Sequence, residues 1–291
     1  MNLRKLIFVN NACYKSNRQI VPTGIMVHST GANNPNLCRY VGPDDGFLGQ
    51  NKYLNHWNQD YPGMEKKCVH GFIGRLKDGT IATYQTLPWN HRGWHAGKGP
   101  SGSANSTCIS FEICEDSQKN ADYFNAVYKE AVELCQYLCG VYSIKPENII
   151  GHYEGWEKGI ASNHGDPRYW FKKFGKSMDT FRADVKVGIT EMDLVGKLMK
   201  VQTSKDEGLS LWSDIVKSER IIRVRKGEVI KVIADLTSWV LAEYKGVQGY
   251  ADKQYLVRVE SQPEPIDNSA LWDELDGIAD RIKVITKALR G

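Results

Sequence analysis

A long amphipathic segment, Ala121 to Tyr142, is the feature that most constrains how this chain can fold. The apolar residues that recur in it at helical spacing are Phe124, Val127, Tyr128, Ala131, Leu134, Cys135 and Leu138. This spacing predicts a helix with one buried face, which needs a sheet or other helices to cover it. Strand-like segments lie on either side, at Cys108–Cys114 and Asn148–Gly151. We therefore expect an α/β domain in which the helix packs on a sheet.

Other segments before residue 187 fit the same domain. The apolar run in GIMVHST, introduced by Pro22 and Gly24, is typical of a buried strand. The remaining predicted elements are a helix over 51–60, a hairpin over 70–85 with Asp78-Gly79 at its turn, and a last helix over 169–184. Strands mixed with helices in this way predict an α/β fold.

The pattern changes after about residue 196. Short β-like runs separated by turns follow, and they predict a small β-barrel over residues 197–259. A Pro-containing segment, SQPEP, then predicts a linker. Residues 266–291 carry apolar residues at heptad spacing and predict an amphipathic helix. We expect this helix to be an oligomerisation element that forms a homo-oligomer; the alternative is a helix docked on its own chain.

Composition excludes several classes of protein. The net charge is only +4, and no dense basic and aromatic stripe is present, so nucleic-acid binding is not expected. No run approaches the roughly 20 apolar residues of a membrane helix, so membrane insertion is not expected either. The N-terminal apolar run, Leu6 to Val9, is too short for an export signal. We expect synthesis in the cytoplasm without a signal peptide.

All seven cysteines lie at or before Cys139, their number is odd, and no CxxC pair occurs. This usage is typical of reduced thiols in a protein that folds in the cytosol. A disulfide among the five cysteines before residue 120 stays open at this point.

Five side chains could serve hydrolytic chemistry at a metal. His28 ends a predicted strand, His152 directly follows another, and His164 and Asp166 form a His-x-Asp pair in the loop sequence NHGDP. Zn²⁺ accepts such ligands and keeps one position open for water in catalytic sites. Glu112 lies inside the strand-like CISFEIC, where a buried carboxylate suits a general base. Plainer alternatives are His28 as an ordinary polar residue, His164 and Asp166 as caps of the following helix, and Glu112 facing water.

Six segments in order resemble the N-acetylmuramoyl-L-alanine amidase family of the type-2 kind, which shares its fold with peptidoglycan recognition proteins and includes phage endolysins. They span residues 23–170 and read MVHST, GFIGRLKDGTIATYQ, GWHAG, CISFEIC, IIGH and NHGDP. The resemblance implies a catalytic domain over 1–187 with a mixed central sheet flanked by helices. It also implies cleavage of the amide bond between N-acetylmuramic acid and L-alanine in bacterial peptidoglycan.

The resemblance gives individual residues their expected roles. It implies a Zn²⁺ cofactor held by His28, His152 and Asp166, and Glu112 as the catalytic base. His164 stands where the bacterial relatives usually have a lysine that faces the oxyanion. His164 could therefore stabilise the oxyanion, or it could replace Asp166 as the third zinc ligand. Two further residues, Trp94 and His95, match a segment that lines the substrate groove in relatives; the alternative for His95 is a loop histidine packed on Trp94.

Residues 209–257 are similar to bacterial SH3-like (SH3b) modules, which implies a cell-wall-binding domain. Its aromatic residues could form a ligand groove or fill the barrel core; they are Trp212, Trp239, Tyr244 and Tyr250. The combination implies an endolysin that acts on the wall after release through membrane holes or lysis. Two alternatives are a non-catalytic recognition protein on the same fold, which should lack ligands, and a metal hydrolase for an unrelated amide.

Overall fold

The computed structural model describes residues 1–59, 67–117, 119–190, 194–204, 206–236 and 238–259. Residues Met1–Val257 form one compact unit. The predicted linker and the predicted C-terminal helix over 266–291 lie outside the described residues, so both stay predictions. The boundaries expected for the two larger domains, 1–187 and 197–259, also stay predictions.

The first sheet confirms the expected mixed α/β architecture. Its strands are β1 Leu3–Lys5, β2 Gly24–Ser29, β3 Gly71–Arg75, β4 Ile81–Gln85, β5 Cys108–Ile113 and β6 Ile149–Gly151. They lie in the order β1-β4-β3-β5-β2-β6. The pair β3 and β4 is the predicted antiparallel hairpin, whereas β5, β2 and β6 pair in parallel. Parallel strands need cover on both faces, and β2 is buried along its whole length.

The helices of this domain are α1 Ala12–Lys15, α2 Ala121–Tyr142, α3 His152–Glu157, α4 Arg168–Lys173 and α5 Met178–Thr190. The side chain of Asn120 caps α2 by accepting a hydrogen bond from the Tyr123 backbone N–H. Ser143 ends the helix in the left-handed region at φ 54°. Its apolar face contributes to one core together with Ile25 and Phe111 of the sheet, as the amphipathic pattern predicts.

Two helix predictions were wrong in part. Residues 51–59 form turns, because the Asn51 side chain accepts from the Tyr53 backbone N–H and Leu54 takes a left-handed φ of 53°. Tyr53 and Leu54 are also exposed, so burial does not stabilise a helix there. The predicted last helix is two helices, α4 and α5, with Gly175 at φ 71° between them.

A second, antiparallel sheet follows, as expected of a small barrel. Its strands are β7 Leu198–Val201, β8 Leu209–Trp212, β9 Arg220–Val224, β10 Val229–Leu236, β11 Trp239–Tyr244, β12 Val247–Asp252 and β13 Leu256–Arg258. The short β-like runs of the sequence, at 209–212, 221–224, 229–234, 239–244 and 249–251, lie in five of these strands, while β7 and β13 were not predicted. Alternating burial along β10 and β11 gives this sheet its own apolar core, which includes Val232 and Tyr244.

The second sheet packs directly against α2. Leu236 of β10 is buried in the same core as the apolar face of α2. The contact is close, because a Cβ added to Gly140 would lie 2.6 Å from Leu236 Cδ2. Beside it, the rings of Tyr137 and Tyr250 have centroids 6.4 Å apart. Trp239 also packs on this shared core, whereas Tyr244 is buried in the core of the second sheet. Trp212, the register partner of Tyr250, is half-buried. The predicted ligand groove of these four aromatic residues stays a prediction.

All seven cysteines are free thiols, so the disulfide left open by the sequence does not form. None of the described helices combines the length and the apolar character needed to cross a bilayer.

Candidate active site

Two neighbouring parallel strands place a histidine and a glutamate side by side. His28 of β2 is the register partner of Glu112 of β5. Because register partners in a sheet point to the same face about 4.8 Å apart, both side chains lie on one side of the central sheet. His28 is 2% exposed. The sheet therefore holds both groups on rigid backbone.

The parallel strand β6 positions His152. It is the first residue of α3 and directly follows β6, which pairs with β2. His152 Nδ1 lies 3.1 Å from His28 Nδ1. Asp166, in the loop before α4, places Oδ2 3.0 Å from His28 Nδ1 and Oδ1 3.5 Å from His152 Nδ1. Asp166 does not cap α4, because the cap position is Pro167 and has no side-chain hydrogen bond.

These three side chains fit a zinc ion. Zinc bonds of about 2.0–2.1 Å in a tetrahedron separate the ligand atoms by roughly 3.3 Å. The two Nδ1 atoms are 3.1 Å apart, and the Asp166 carboxylate places one oxygen 3.0 Å from His28 Nδ1 and the other 3.5 Å from His152 Nδ1, so these separations bracket that value. Among the described residues, His28, His152 and Asp166 are the group whose ligand atoms converge in this way. Two imidazoles and one carboxylate are also the donor types that zinc takes in catalytic sites.

The pKa shifts of His28 and Asp166 favour the protonation states that bind a cation. Burial lowers the pKa of His28, which keeps its ring neutral and able to donate a lone pair. Burial alone would raise the pKa of Asp166, but its hydrogen bonds with His152 and His28 outweigh burial and hold that pKa below the ordinary range. The carboxylate is therefore ionised.

Glu112 has the surroundings of a general base. Its Oε2 is buried and has no hydrogen-bond partner among the described residues. Burial, and next the negative charge of Asp166, raise the pKa of the Glu112 carboxyl well above its ordinary value. An unpartnered carboxylate oxygen with a raised pKa can take a proton from a water molecule and later return it.

His164 lies beside the three ligands without joining them. Its ring stacks on the His152 ring at a centroid distance of 4.7 Å and an interplanar angle of 3°. It is exposed, whereas His28 and His152 are buried. Asp166 is therefore the better candidate for the third ligand, and His164 is placed to face a substrate. Both roles stay predictions.

His95 and Trp94, which were expected to line the substrate groove, have contacts with other parts of the protein. His95 Nδ1 lies 3.0 Å from His28 Nε2, on the side of the ring away from the ligand cluster. Burial lowers the pKa of His95 well below its ordinary value. Trp94 pairs its backbone with Cys68 and lies under the Arg92 guanidinium at 5.5 Å. The predicted substrate contacts of both residues stay predictions.

Sequence reasoning missed two residues near the metal-binding group. Ser162 Oγ lies 3.4 Å from His152 Nε2. Asn105 is fully buried, and its Oδ1 accepts from the backbone N–H groups of His95 and Ala96. Ser162 lies in a loop and Asn105 in the short 3-10 helix Ala104–Ser106, and neither belongs to a chemical motif, so nothing in the local pattern indicates these contacts.

Part of the chain is similar to known amidases. The profile of the N-acetylmuramoyl-L-alanine amidase family matches residues 17–169, more than half of the chain. N-acetylmuramoyl-L-alanine amidase XlyA of Bacillus subtilis (strain 168) is 28% identical over 162 residues, which cover 52% of this chain and 47% of XlyA. N-acetylmuramoyl-L-alanine amidase CwlH of the same organism is 28% identical over 100 residues, covering 29% of this chain and 39% of CwlH. The chain thus spans less than half the length of each of these two relatives.

Solved structures are similar to the first part of the chain. The catalytic domain of XlyA is 23% identical, with a TM-score of 0.42, and the match covers 64% of this chain and 99% of that one. The structure of PlyL is 21% identical, with a TM-score of 0.46, and the match covers 64% of this chain and 97% of that one. By the extent of the family match, the chain belongs to the N-acetylmuramoyl-L-alanine amidase family.

Proposed function

We propose that this protein is a zinc-dependent peptidoglycan hydrolase that cleaves the amide bond between N-acetylmuramic acid and L-alanine. The observation that carries this proposal is the convergence of His28, His152 and Asp166 next to Glu112, whose Oε2 is buried and has no hydrogen-bond partner among the described residues. Family membership supports the choice of bond. A recognition protein without activity would need neither three converging ligands nor a carboxylate oxygen left free beside them.

His28 and His152, through their Nδ1 atoms, and Asp166, through its carboxylate, would hold the zinc ion. Bound there, zinc would polarise the scissile carbonyl and make water acidic. Glu112 takes a proton from the attacking water through its free Oε2, and it then gives that proton to the amine that leaves. Burial of Glu112 favours the protonated state that this second step requires.

His164 supplies a hydrogen-bond donor on the exposed side of the site. Its ring is held parallel to His152 by stacking, so its position is fixed without burial. A donor held in place where negative charge develops on the carbonyl oxygen lowers the barrier without reorganisation. His164 therefore replaces the lysine that relatives commonly have at this position.

The second sheet would bind the cell wall and keep the enzyme near its substrate. Trp239 and Tyr250 pack on the core shared with α2, so the wall would contact other surfaces. The edge strand β9 is one such surface, because Arg220, Ile221 and Arg223 are exposed on it. A basic edge suits an anionic wall polymer. The protein would act as an endolysin, reaching the wall after release from the cell in which it is made.

The test of the proposed bond is a digest of purified peptidoglycan by the zinc-loaded full chain, with products identified by mass spectrometry. We expect free stem peptides that begin with L-alanine. The control is the same protein after removal of zinc with a chelator, which should release nothing until zinc returns. Zinc-loaded protein that binds walls of several types but releases no peptide would support the recognition protein instead.

A further inference from the structure

Each of the two metal-binding histidines has a second ring nitrogen, and each of these nitrogens faces a polar atom from a loop. His28 Nε2 lies 3.0 Å from His95 Nδ1. His152 Nε2 lies 3.4 Å from Ser162 Oγ. We propose that His95 and Ser162 are positioning residues that fix the tautomers of His28 and His152 so that both Nδ1 lone pairs point at the metal. This inference rests on the proposed zinc site.

Tautomer chemistry gives these contacts a direction. A neutral imidazole that donates a lone pair from Nδ1 carries its proton on Nε2. The Nε2–H groups of His28 and His152 therefore need acceptors. His95 Nδ1 accepts from His28 when the His95 proton is on Nε2. With the proton on His95 Nδ1 instead, His28 Nε2 would have to accept, and its own proton would block the metal-facing Nδ1.

Ser162 has the right polarity for the other histidine. Its hydroxyl donates to the Ala96 carbonyl oxygen at 3.3 Å. Because the single hydroxyl proton is used there, an oxygen lone pair is left to accept from His152 Nε2–H. Ala96 directly follows His95. The residue that contacts His28 is therefore next in sequence to the residue whose carbonyl accepts the Ser162 hydroxyl proton.

The two loops that carry these residues are joined by backbone hydrogen bonds. Ser162 N–H donates to the Ala96 carbonyl oxygen at 2.8 Å, and Ala104 N–H donates to the Ile160 carbonyl oxygen at 2.8 Å. Gly97 permits the close approach: a Cβ there would lie 2.8 Å from Ser162 Oγ, and its φ is 65°. A side chain at this position would separate the loops.

The Asn105 side chain fixes the backbone around His95 through hydrogen bonds. Its Oδ1 accepts from the N–H groups of His95 at 2.8 Å and Ala96 at 2.9 Å, and its Nδ2 donates to the Gly97 carbonyl oxygen at 3.1 Å. Asn105 has no exposed surface. A buried amide that satisfies three backbone groups of one tripeptide is a rigid support, which a residue that only touched substrate would not require.

The test is zinc affinity, measured by competition with a chromophoric chelator on the full chain, with no peptidoglycan present. His95→Phe removes the acceptor and keeps an aromatic ring, and partners of this kind typically contribute about 10- to 100-fold to metal affinity. His95→Asn keeps an acceptor oxygen near the Nδ1 position and should recover most of the loss. The matched control is His91→Phe, a buried histidine of the same loop whose ring contacts Tyr14; its zinc affinity should equal that of the wild type.

The results separate this inference from the proposed function. Equal zinc affinity in His95→Phe and wild type would overturn the positioning role while leaving the hydrolase proposal intact. A separate peptidoglycan digest shows whether His95 touches substrate: a raised KM in His95→Phe with unchanged zinc affinity would make His95 a substrate contact and overturn the positioning role. Wild type that binds no zinc would overturn both proposals. If His95→Phe does not fold, ¹⁵N-histidine NMR of zinc-loaded wild type decides: we expect the His95 proton on Nε2, and a proton on Nδ1 would contradict the inference.

Discussion

His28 and Glu112 are register partners on the neighbouring parallel strands β2 and β5. This relationship places the proposed metal ligand and the proposed base side by side in the central sheet. A shift of either strand by one residue would turn one of the two side chains to the other face of the sheet. The register of the central sheet is thus a condition for the proposed chemistry.

The choice between Asp166 and His164 as third ligand is testable by paired substitutions. Asp166→Ala should lose zinc affinity, because it removes one of three converging ligand atoms. His164→Ala should keep zinc and lose about 10²–10³-fold in kcat, the usual cost of one oxyanion donor. Zinc content by metal analysis and turnover on peptidoglycan distinguish the two. The reverse pattern of zinc loss would make His164 the ligand.

Stability should fall in mild acid because of His70. His70 is buried, its Nε2 donates to the His91 carbonyl oxygen, and its Nδ1 accepts from the Ser110 N–H. Burial lowers its pKa from 6.5 to about 4. The folded state thus disfavours the charged form, so the stabilisation is complete above the unfolded pKa and is lost as the pH falls from about 6.5 to about 4. The full effect is about 3 kcal/mol.

The measurement is the free energy of unfolding from urea titrations at pH 4 to 7. Between these pH values His70→Gln should remove about 1.4 kcal/mol per pH unit from the slope, which corresponds to one proton. At pH 7 we expect a lower free energy of unfolding for His70→Gln than for the wild type, because the substitution changes the buried hydrogen bonds of residue 70. An unaltered slope would show that His70 does not titrate as its burial implies.

A larger side chain at position 140 should disrupt the contact between α2 and the second sheet. A side chain there meets Leu236 of β10, which is 3% exposed. We expect Gly140→Gln to separate the sheet from the helix, giving two calorimetric transitions and new protease cleavage between the two parts. Lys129→Gln, at an exposed position of the same helix, is the control and should behave as wild type. A single unchanged transition in Gly140→Gln would contradict tight docking.

Thiol chemistry offers a simple check of the core. Cys38 is partly exposed, and the other six cysteines are buried. Burial and the neighbouring Asp44 charge raise the pKa of Cys38, so even this thiol should react slowly. Titration with a disulfide reagent should modify one thiol in the native protein and seven after denaturation. Rapid modification of several native thiols would show that the described packing is wrong.

The elements that the sequence predicted best have strong local signals. The bounds of α2 match because its apolar periodicity, the Asn120 cap and the left-handed Ser143 agree. The helix expected over 51–60 does not form over the described residues 51–59, because the Asn51 side chain makes a local turn that the spacing of apolar residues does not indicate. Side-chain hydrogen bonds of this kind compete with helix formation.

The site was predictable only in part for a related reason. His28, Glu112 and His152 follow or occupy predicted strands, and parallel pairing brings them together. The contacts of Asn105 with the His95 N–H and of Ser162 with His152 depend on how the chain turns over the ten residues between the partners, so no spacing indicates them. Likewise, the sequence identified Tyr250 as an aromatic residue of the second sheet, but it did not indicate that the Tyr250 ring packs near Tyr137 of α2.

The central claim is that Glu112 acts as the base beside a bound zinc ion, and Glu112→Gln tests it most directly. This change keeps the shape of the side chain and removes the proton acceptor. The control is Glu130→Gln, also a buried glutamate, whose Oε1 accepts from the Asn2 N–H and the Thr83 hydroxyl far from the ligands. All three proteins are loaded with zinc, and metal content and release of stem peptides are measured together.

We expect Glu112→Gln to bind zinc like the wild type and to lose about 10²–10⁴-fold in kcat, the usual contribution of general acid–base catalysis, while Glu130→Gln stays active. Wild-type turnover by zinc-loaded Glu112→Gln would contradict the account.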